Sequence, residues 1–197
     1  MTKRGEKRAQ AQAARWADAV RAAAHEDARN LALDIVRGNV AALTAYELGI
    51  VLLPDEVVWR EAATADWVVR ENDVWPNGAV TPRWDRYPPR PWLVTSHRII
   101  SRQPDTTIAQ VQWATVTGCR ADLIREFVQF DAGDWQGAVA GPGVAVIAVA
   151  ALASVYGPQA LIDHPALAPL RNTAWIQARR SAGTEASLPP GARPVDF

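Results

Sequence analysis

The segment from Val144 to Val155 constrains this chain more than any other, because it is apolar around its whole circumference. Gly141-Pro142-Gly143 precedes it and Gly157 follows it. Proline near a helix start loses nothing, since the first amides of a helix have no intrahelical partner. At helical spacing Val144, Ile147, Ala151, Leu152 and Val155 form one face, and Val146, Val149, Ala150, Ala153 and Tyr156 form the other. A helix without a polar face has to be covered on both sides. One side can lie on a sheet; the other needs the N-terminal segment of the chain or a second copy. Ser154 interrupts the run, which is shorter than the roughly 20 residues that cross a bilayer. The sequence therefore predicts a buried helix of a soluble protein.

The N-terminal segment has the pattern of such a cover. Glu6 to Arg37 is rich in alanine, arginine and acidic residues and has no proline, and Trp16, Val20, Ala24, Ala28, Leu31 and Ile35 recur at steps of three or four. Gly38-Asn39 supplies the stop. A stripe made mostly of alanine gains its stability by packing on something else, either its own domain or another copy. Lys3, Arg4, Lys7 and Arg8 would suit an arm on an anionic membrane or on nucleic acid, but Asp18, Glu26, Asp27 and Asp34 would face the same partner. The formal net charge of zero also argues against nucleic-acid binding by the whole surface, and no specific nucleic acid is expected. Cys119 is alone, which removes intramolecular disulfides and cysteine-based metal clusters and fits a reducing cytoplasm. The basic start leads into Ala, Gln and Arg rather than an apolar stretch, so no secretory signal is read there.

Between these helices the pattern is one of short strands. Thr44-Ala45-Tyr46-Glu47 has capping-box spacing, with Gly49 to end a short turn. Val57 to Arg60 reads as a first strand and Trp67 to Arg70 as its partner. After the Trp75-Pro76-Asn77-Gly78 turn, Pro82, Pro88, Pro89 and Pro91 predict a stiff loop rather than a strand, because proline removes backbone donors. The aromatics of that loop, Trp84, Tyr87 and Trp92, either cover an open end of a barrel or form an interaction surface at low ordering cost; the covering role is favoured. Trp92 to Val94 and Ile99-Ile100 flank the polar turn Thr95-Ser96-His97-Arg98. Gln103-Pro104-Asp105 is the next loop. Val111, Trp113 and Val116 lead to Gly118, and Cys119 to Phe130 reads as strand, turn and strand. Asp131 to Asp134 signals a hairpin into a last strand, Trp135 to Ala140. Beyond Gly157, Pro158 to Ile162 forms a turn of helix, Asp163-His164-Pro165 a capped turn, and Ala166 to Arg171 a connector. Asn172 caps a last helix to Arg180, and a Gly/Ser/Pro-rich tail begins at Ser181.

The order of strands, the Thr95-Ser96-His97-Arg98-Ile99-Ile100 hairpin, Trp113 and Val116 before a glycine, an aspartate–glycine hairpin and one terminal apolar helix together resemble the bacterial PH-like and GRAM-like domains. The resemblance implies an α+β fold: a small, bent antiparallel β-barrel over roughly Leu52 to Gly157, capped at one end by its C-terminal helix and preceded by a long N-terminal helix. On this reading residues 1–49 are a helical arm, 50–157 the barrel and its helix, and 158–197 an extension and tail. The preponderance of Ala, Arg, Trp and Pro is similar to that of proteins from high-GC actinobacteria and their phages.

No set of residues demands a reaction. His25, His97 and His164 stand at no metal-ligand spacing, and Cys119 reads as a small core residue. Ser96 and His97 as strand neighbours would point to opposite faces; a turn could relax that rule, but the sequence offers no buried carboxylate partner. The glycines at 141 and 143 lack the Lys-Ser/Thr of a phosphate loop. The expectation is a non-enzymatic protein with no catalytic, cofactor or metal site. Two classes of function remain. One is an interaction or assembly module that binds another protein or itself, with Trp16, Val20, Trp84, Tyr87, Trp92, Val146, Val149 and Tyr156 as contact candidates. The other, which the family resemblance allows, is a peripheral binder of anionic lipid headgroups, with Arg83, Arg86, Arg90, Arg98 and Arg102 as phosphate contacts.

Overall fold

A computed structural model describes residues 3–43, 50–102, 108–133 and 135–171. The capping box at Thr44 to Glu47 with Gly49, the Gln103-Pro104-Asp105 loop, Asp134, the helix from Asn172 to Arg180 and the tail from Ser181 lie outside the described residues. The chain runs α1 (Lys3–Arg37), β1 (Val58–Val74), β2 (Val80–Thr95), β3 (Arg98–Arg102), β4 (Ile108–Gln112), β5 (Gly118–Asp122), β6 (Phe127–Ala132), β7 (Trp135–Ala140), α2 (Val144–Tyr156) and α3 (Ala160–Asp163), with 3-10 turns at Trp113–Thr115 and Pro165–Leu170. All seven strands form one antiparallel sheet in the order β4-β3-β2-β1-β7-β6-β5, curled into a half barrel. The fold is the predicted α+β arrangement.

α2 packs across the inner face of the sheet, against β1, β2, β5 and β6. Its residues from Val144 to Ala153 are all buried. α1 lies on its other side, burying Ala24, Ala28, Leu31 and Ala32. The cover that an all-apolar helix requires thus comes from the chain's own N-terminal helix. α1 stops where Gly38 takes a φ of 69° and Asn39 N donates to Asp34 O at 3.0 Å. Two of its acidic residues meet one arginine of the sheet: Arg60 Nε donates to Asp27 Oδ1 at 2.8 Å and Arg60 Nη2 to Asp34 Oδ2 at 2.9 Å. Asp27 and Asp34, which counted in the sequence against an anionic partner, are part of the clamp that seats α1.

The largest departure from the sequence reading is at the prolines. Val57 to Arg60 and Trp67 to Arg70 are not partners; they belong to, or adjoin, the single strand β1, and the proline-rich stretch is its partner β2. Trp75 to Ala79 is the turn between them, closed by Trp75 N donating to Ala79 O at 2.9 Å. That bond sets the phase of the ladder, so Pro82, opposite Asn72, stands where a backbone nitrogen points away from β1 and no donor is missed. Pro88 and Pro89 occupy the bulge between the Tyr87–Trp67 and Arg90–Ala65 pairs. β2 meets β3 only at Leu93 and Val94, which leaves the proline-rich part as an edge strand.

Tryptophans fill the junction of β1, β2 and β7. The Trp67 ring lies 5.4 Å from that of Trp92 and stacks on Trp135 at 5.6 Å. Gly137 makes room for this: a Cβ there would come within 2.5 Å of the Trp135 ring and 3.0 Å of the Trp67 ring. Gly137→Ala is expected to cost about 1–3 kcal/mol through displaced rings, read as a lowered denaturation midpoint and altered near-ultraviolet circular dichroism. An unchanged spectrum and midpoint would show that the stack is loose in solution.

Candidate interaction surface

Beyond the core, the β1–β2 hairpin outruns its sheet. β7 pairs with β1 only from Asp66 to Val69, so from Arg70 to Trp84 the two strands, among the described residues, pair only with each other. A two-stranded ribbon is marginal by itself in water, yet this one displays large apolar groups. Trp75 is 55% exposed, Val80 58% and Trp84 47%, and Tyr87, where the hairpin joins the sheet, is 39% exposed. Alternation puts Val80, Pro82 and Trp84 on one face and Tyr87 on the other, the face of Trp67. Among the contact candidates, Trp84 and Tyr87 are therefore presented to solvent on a stiff strand and do not plug the barrel.

The remaining contact candidates divide. Trp16 is 59% exposed on α1 and borders a cleft of about 350 Å³ with Asp66, Arg86, Pro89, Arg125 and Pro142. Val20 is half-buried beside Ala63 and Val146. Trp92, Val146 and Val149 are buried by the chain itself, because the sheet and α1 cover both sides of α2, and they offer nothing to a partner. Tyr156 keeps an exposed ring but its hydroxyl is committed: it accepts from Cys119 N at 3.0 Å and lies 3.1 Å from Cys119 O. Those are outward groups of the edge strand β5, so Tyr156 covers that edge at Cys119.

The arginines proposed as anion contacts are largely occupied. Arg83 pairs with Asp85 at 2.7 Å and Arg86 with Asp66 at 2.8 Å. Arg90 is half-buried, and its Nε is buried without a hydrogen-bond partner among the described residues. Arg102 closes β3, and its side chain lies outside the described residues. Arg98 has a different task. Its guanidinium is buried: Nε donates to Glu56 Oε1 at 2.9 Å, Nη2 to Glu56 Oε2 at 2.9 Å and to Val51 O at 3.0 Å, and Nη1 to Gln110 Oε1 at 2.6 Å. The same carboxylate accepts from Leu53 N at 2.7 Å and from Thr95 Oγ1 at 2.6 Å. Burial works against its charge, but Arg98, the Leu53 amide and Thr95 outweigh it, and the Glu56 carboxyl titrates below its ordinary range. This gives the Thr95-x-x-Arg98 turn a physical role. Thr95 and Arg98 hold Glu56, and Glu56 ties the 50–56 segment over the outer face of the sheet, where Ile50, Val58, Leu93 and Ile100 form a second core. Glu56 had no signal in the sequence beyond its place in a turn.

The turn also does something that strand alternation did not predict. Ser96 Oγ and His97 Nδ1 lie 2.8 Å apart, with Ser96 Oγ accepting from Val57 N at 3.0 Å. Among the described residues no carboxylate bonds the other ring nitrogen of His97. His164 caps the turn that follows it, its Nδ1 accepting from Ala166 N at 3.3 Å, while burial and Arg171 lower its pKa. His25 is likewise lowered, by burial and then by Arg29 and Arg21, against Glu126. Burial, with Asp131 nearby, pushes the Cys119 thiol up to about 12, so it stays protonated and inert at neutral pH. Among the described residues no cluster of His, Cys, Asp and Glu could hold a metal ion, and no helix is long and apolar enough to cross a membrane. No protein-family model and no curated protein matches the chain.

Proposed function

We propose that this chain is a non-catalytic interaction module, PH-like in build and cytoplasmic, that grips another protein with the outer part of its β1–β2 hairpin. The observation that carries the reading is the exposure of Val80 and Trp84 on a ribbon with no third strand among the described residues, with Tyr87 exposed on the edge strand just before it joins the sheet. Aromatic groups on a stiff backbone lose little freedom on binding and are the residues on which interface energy concentrates. The strand order and the single helix across the inner face support the PH-like part of the proposal, and the lone cysteine, a thiol with no partner, supports the reducing compartment. The lipid-headgroup alternative is weaker because Arg83, Arg86 and Arg98 already face carboxylates.

Trp84→Asp tests the reading. Bound proteins are recovered from a lysate on immobilised wild type and on the variant, and the partner so identified is titrated against both. The expected result is at least a 30-fold loss of affinity, the equivalent of about 2 kcal/mol for an interface anchor, with the thermal midpoint almost unmoved because the site is exposed. Equal affinity of the two proteins for that partner would remove the hairpin from the interface.

A further inference from the structure

An open sheet has two edges, and here they are treated differently. At the β5 edge Tyr156 takes up the outward backbone groups of Cys119. Among the described residues nothing pairs with the β4 edge. Trp113 N donates to His97 O at 2.9 Å, which places the bonded pairs of the β3–β4 ladder at His97–Trp113, Ile99–Val111 and Ser101–Ala109. Ile108, Gln110 and Gln112 then aim their backbone groups away from β3. Among the described residues nothing bonds the amide or carbonyl of Gln110. The strand is Ile-Ala-Gln-Val-Gln, without proline, charge or bulge, which are the usual protections of an edge. A groove of about 340 Å³ runs beside it, bounded by Gln110, Gln112, Thr115, Ala132 and Trp135.

We propose that β4 is a self-pairing edge, which joins two copies of this chain antiparallel about a two-fold axis through Gln110. The strand is its own complement. In that register Gln110 meets Gln110 of the second copy, Ala109 meets Val111 on one face, and Ile108 meets Gln112 on the other, so no like charges are opposed. The two Gln110 residues exchange both backbone hydrogen bonds on the axis. A charged peptide would find no counter-charge on this strand, and β2, the other long edge, is interrupted by Pro82 and Pro88. The inference names the self-binding form of the proposed interaction module, through a surface separate from the hairpin. Five paired residues bury less than a standard interface, so the association is weak and reversible.

Sedimentation equilibrium of the purified full chain, from micromolar to millimolar, tests it. The weight-average mass should climb from the monomer value of 21.4 kDa toward twice that value. Gln110→Pro removes the outward amide without touching the ladder to β3 and should hold the chain monomeric throughout. Proline also removes the acceptor used by Arg98, so Gln110→Glu, which retains it, is the second variant. It sets two carboxylates against each other on the axis, and should weaken association at least tenfold at low salt and recover with added salt. A wild type that stays monomeric at millimolar concentration overturns the inference, as does undiminished association of either folded variant. Trp84→Asp should self-associate like wild type; if it alone stays monomeric, the copies meet through the hairpin, and β4 pairing falls while the hairpin reading stands.

Discussion

Glu56→Gln lowers the stability of this domain by about 3–5 kcal/mol, the loss typical of breaking a buried ion pair from one side. The Glu56 side chain is fully buried and Arg98 nearly so, and the Arg98 fork depends on both carboxylate oxygens. Glutamine keeps one acceptor oxygen but turns an NH2 group toward Leu53 N, Thr95 or Arg98, and leaves a guanidinium charge without its counter-ion. For a domain of this size the thermal midpoint should fall on the order of 10 °C. Removing both partners, as Glu56→Leu with Arg98→Met, should recover part of the loss, because the unpaired charge is then gone. Acid should act in the same direction. The folded Glu56 pKa is depressed, so below the ordinary value of 4.5 the unfolded chain binds the extra proton and this stabilisation is lost as pH falls through the folded pKa. His25 and His164, both lowered from 6.5, add a smaller loss that begins nearer neutrality. In Glu56→Gln the lower-pH stage disappears. A variant within 1 kcal/mol of wild type, with the same acid profile, would mean that the pair is solvated.

How far the sequence carried can be judged from this network. Thr95 and Arg98 stand out as a polar turn between apolar strands, but their partner lies some forty residues upstream in a loop whose covering role depends on the finished sheet. No periodicity announces that. The helices were legible because α2 has no polar face and α1 has a stripe of small residues, and each requirement is satisfied by the other. The proline-rich strand was misread for a definable reason. Proline argues against a central strand, and the chain does not announce that β3 reaches β2 only at its last residues. Counting outward from the Trp75–Ala79 turn would have paired Glu71 with Arg83 and Trp67 with Tyr87, a charge match and an aromatic match. The contact candidates divided by the same logic: Trp84 and Tyr87 were separable from Trp92 only once the proline-rich part of β2 was known to be an edge.

The all-apolar helix yields the other large expected effect. Ile147→Glu should leave no cooperative unfolding transition, since it buries a carboxylate with no counter-charge at a fully buried position. In the same series Ile147→Val should cost about 0.5–1.5 kcal/mol and Ile147→Ala about 2–5 kcal/mol, as methyl groups leave a packed site. A face reserved for a second copy would behave otherwise, giving a folded monomer from Ile147→Glu and little loss from Ile147→Ala at low concentration. Ala28→Glu separates the two accounts from the other side. Ala28 is fully buried on α1, and a carboxylate there has to lift the helix off the body and uncover α2. The expected outcome is a large drop in denaturation midpoint with new binding of an apolar dye, independent of protein concentration. If Ala28→Glu melts like wild type and binds no dye, α1 does not rest on α2 in solution, and the cover that α2 demands has to come from elsewhere.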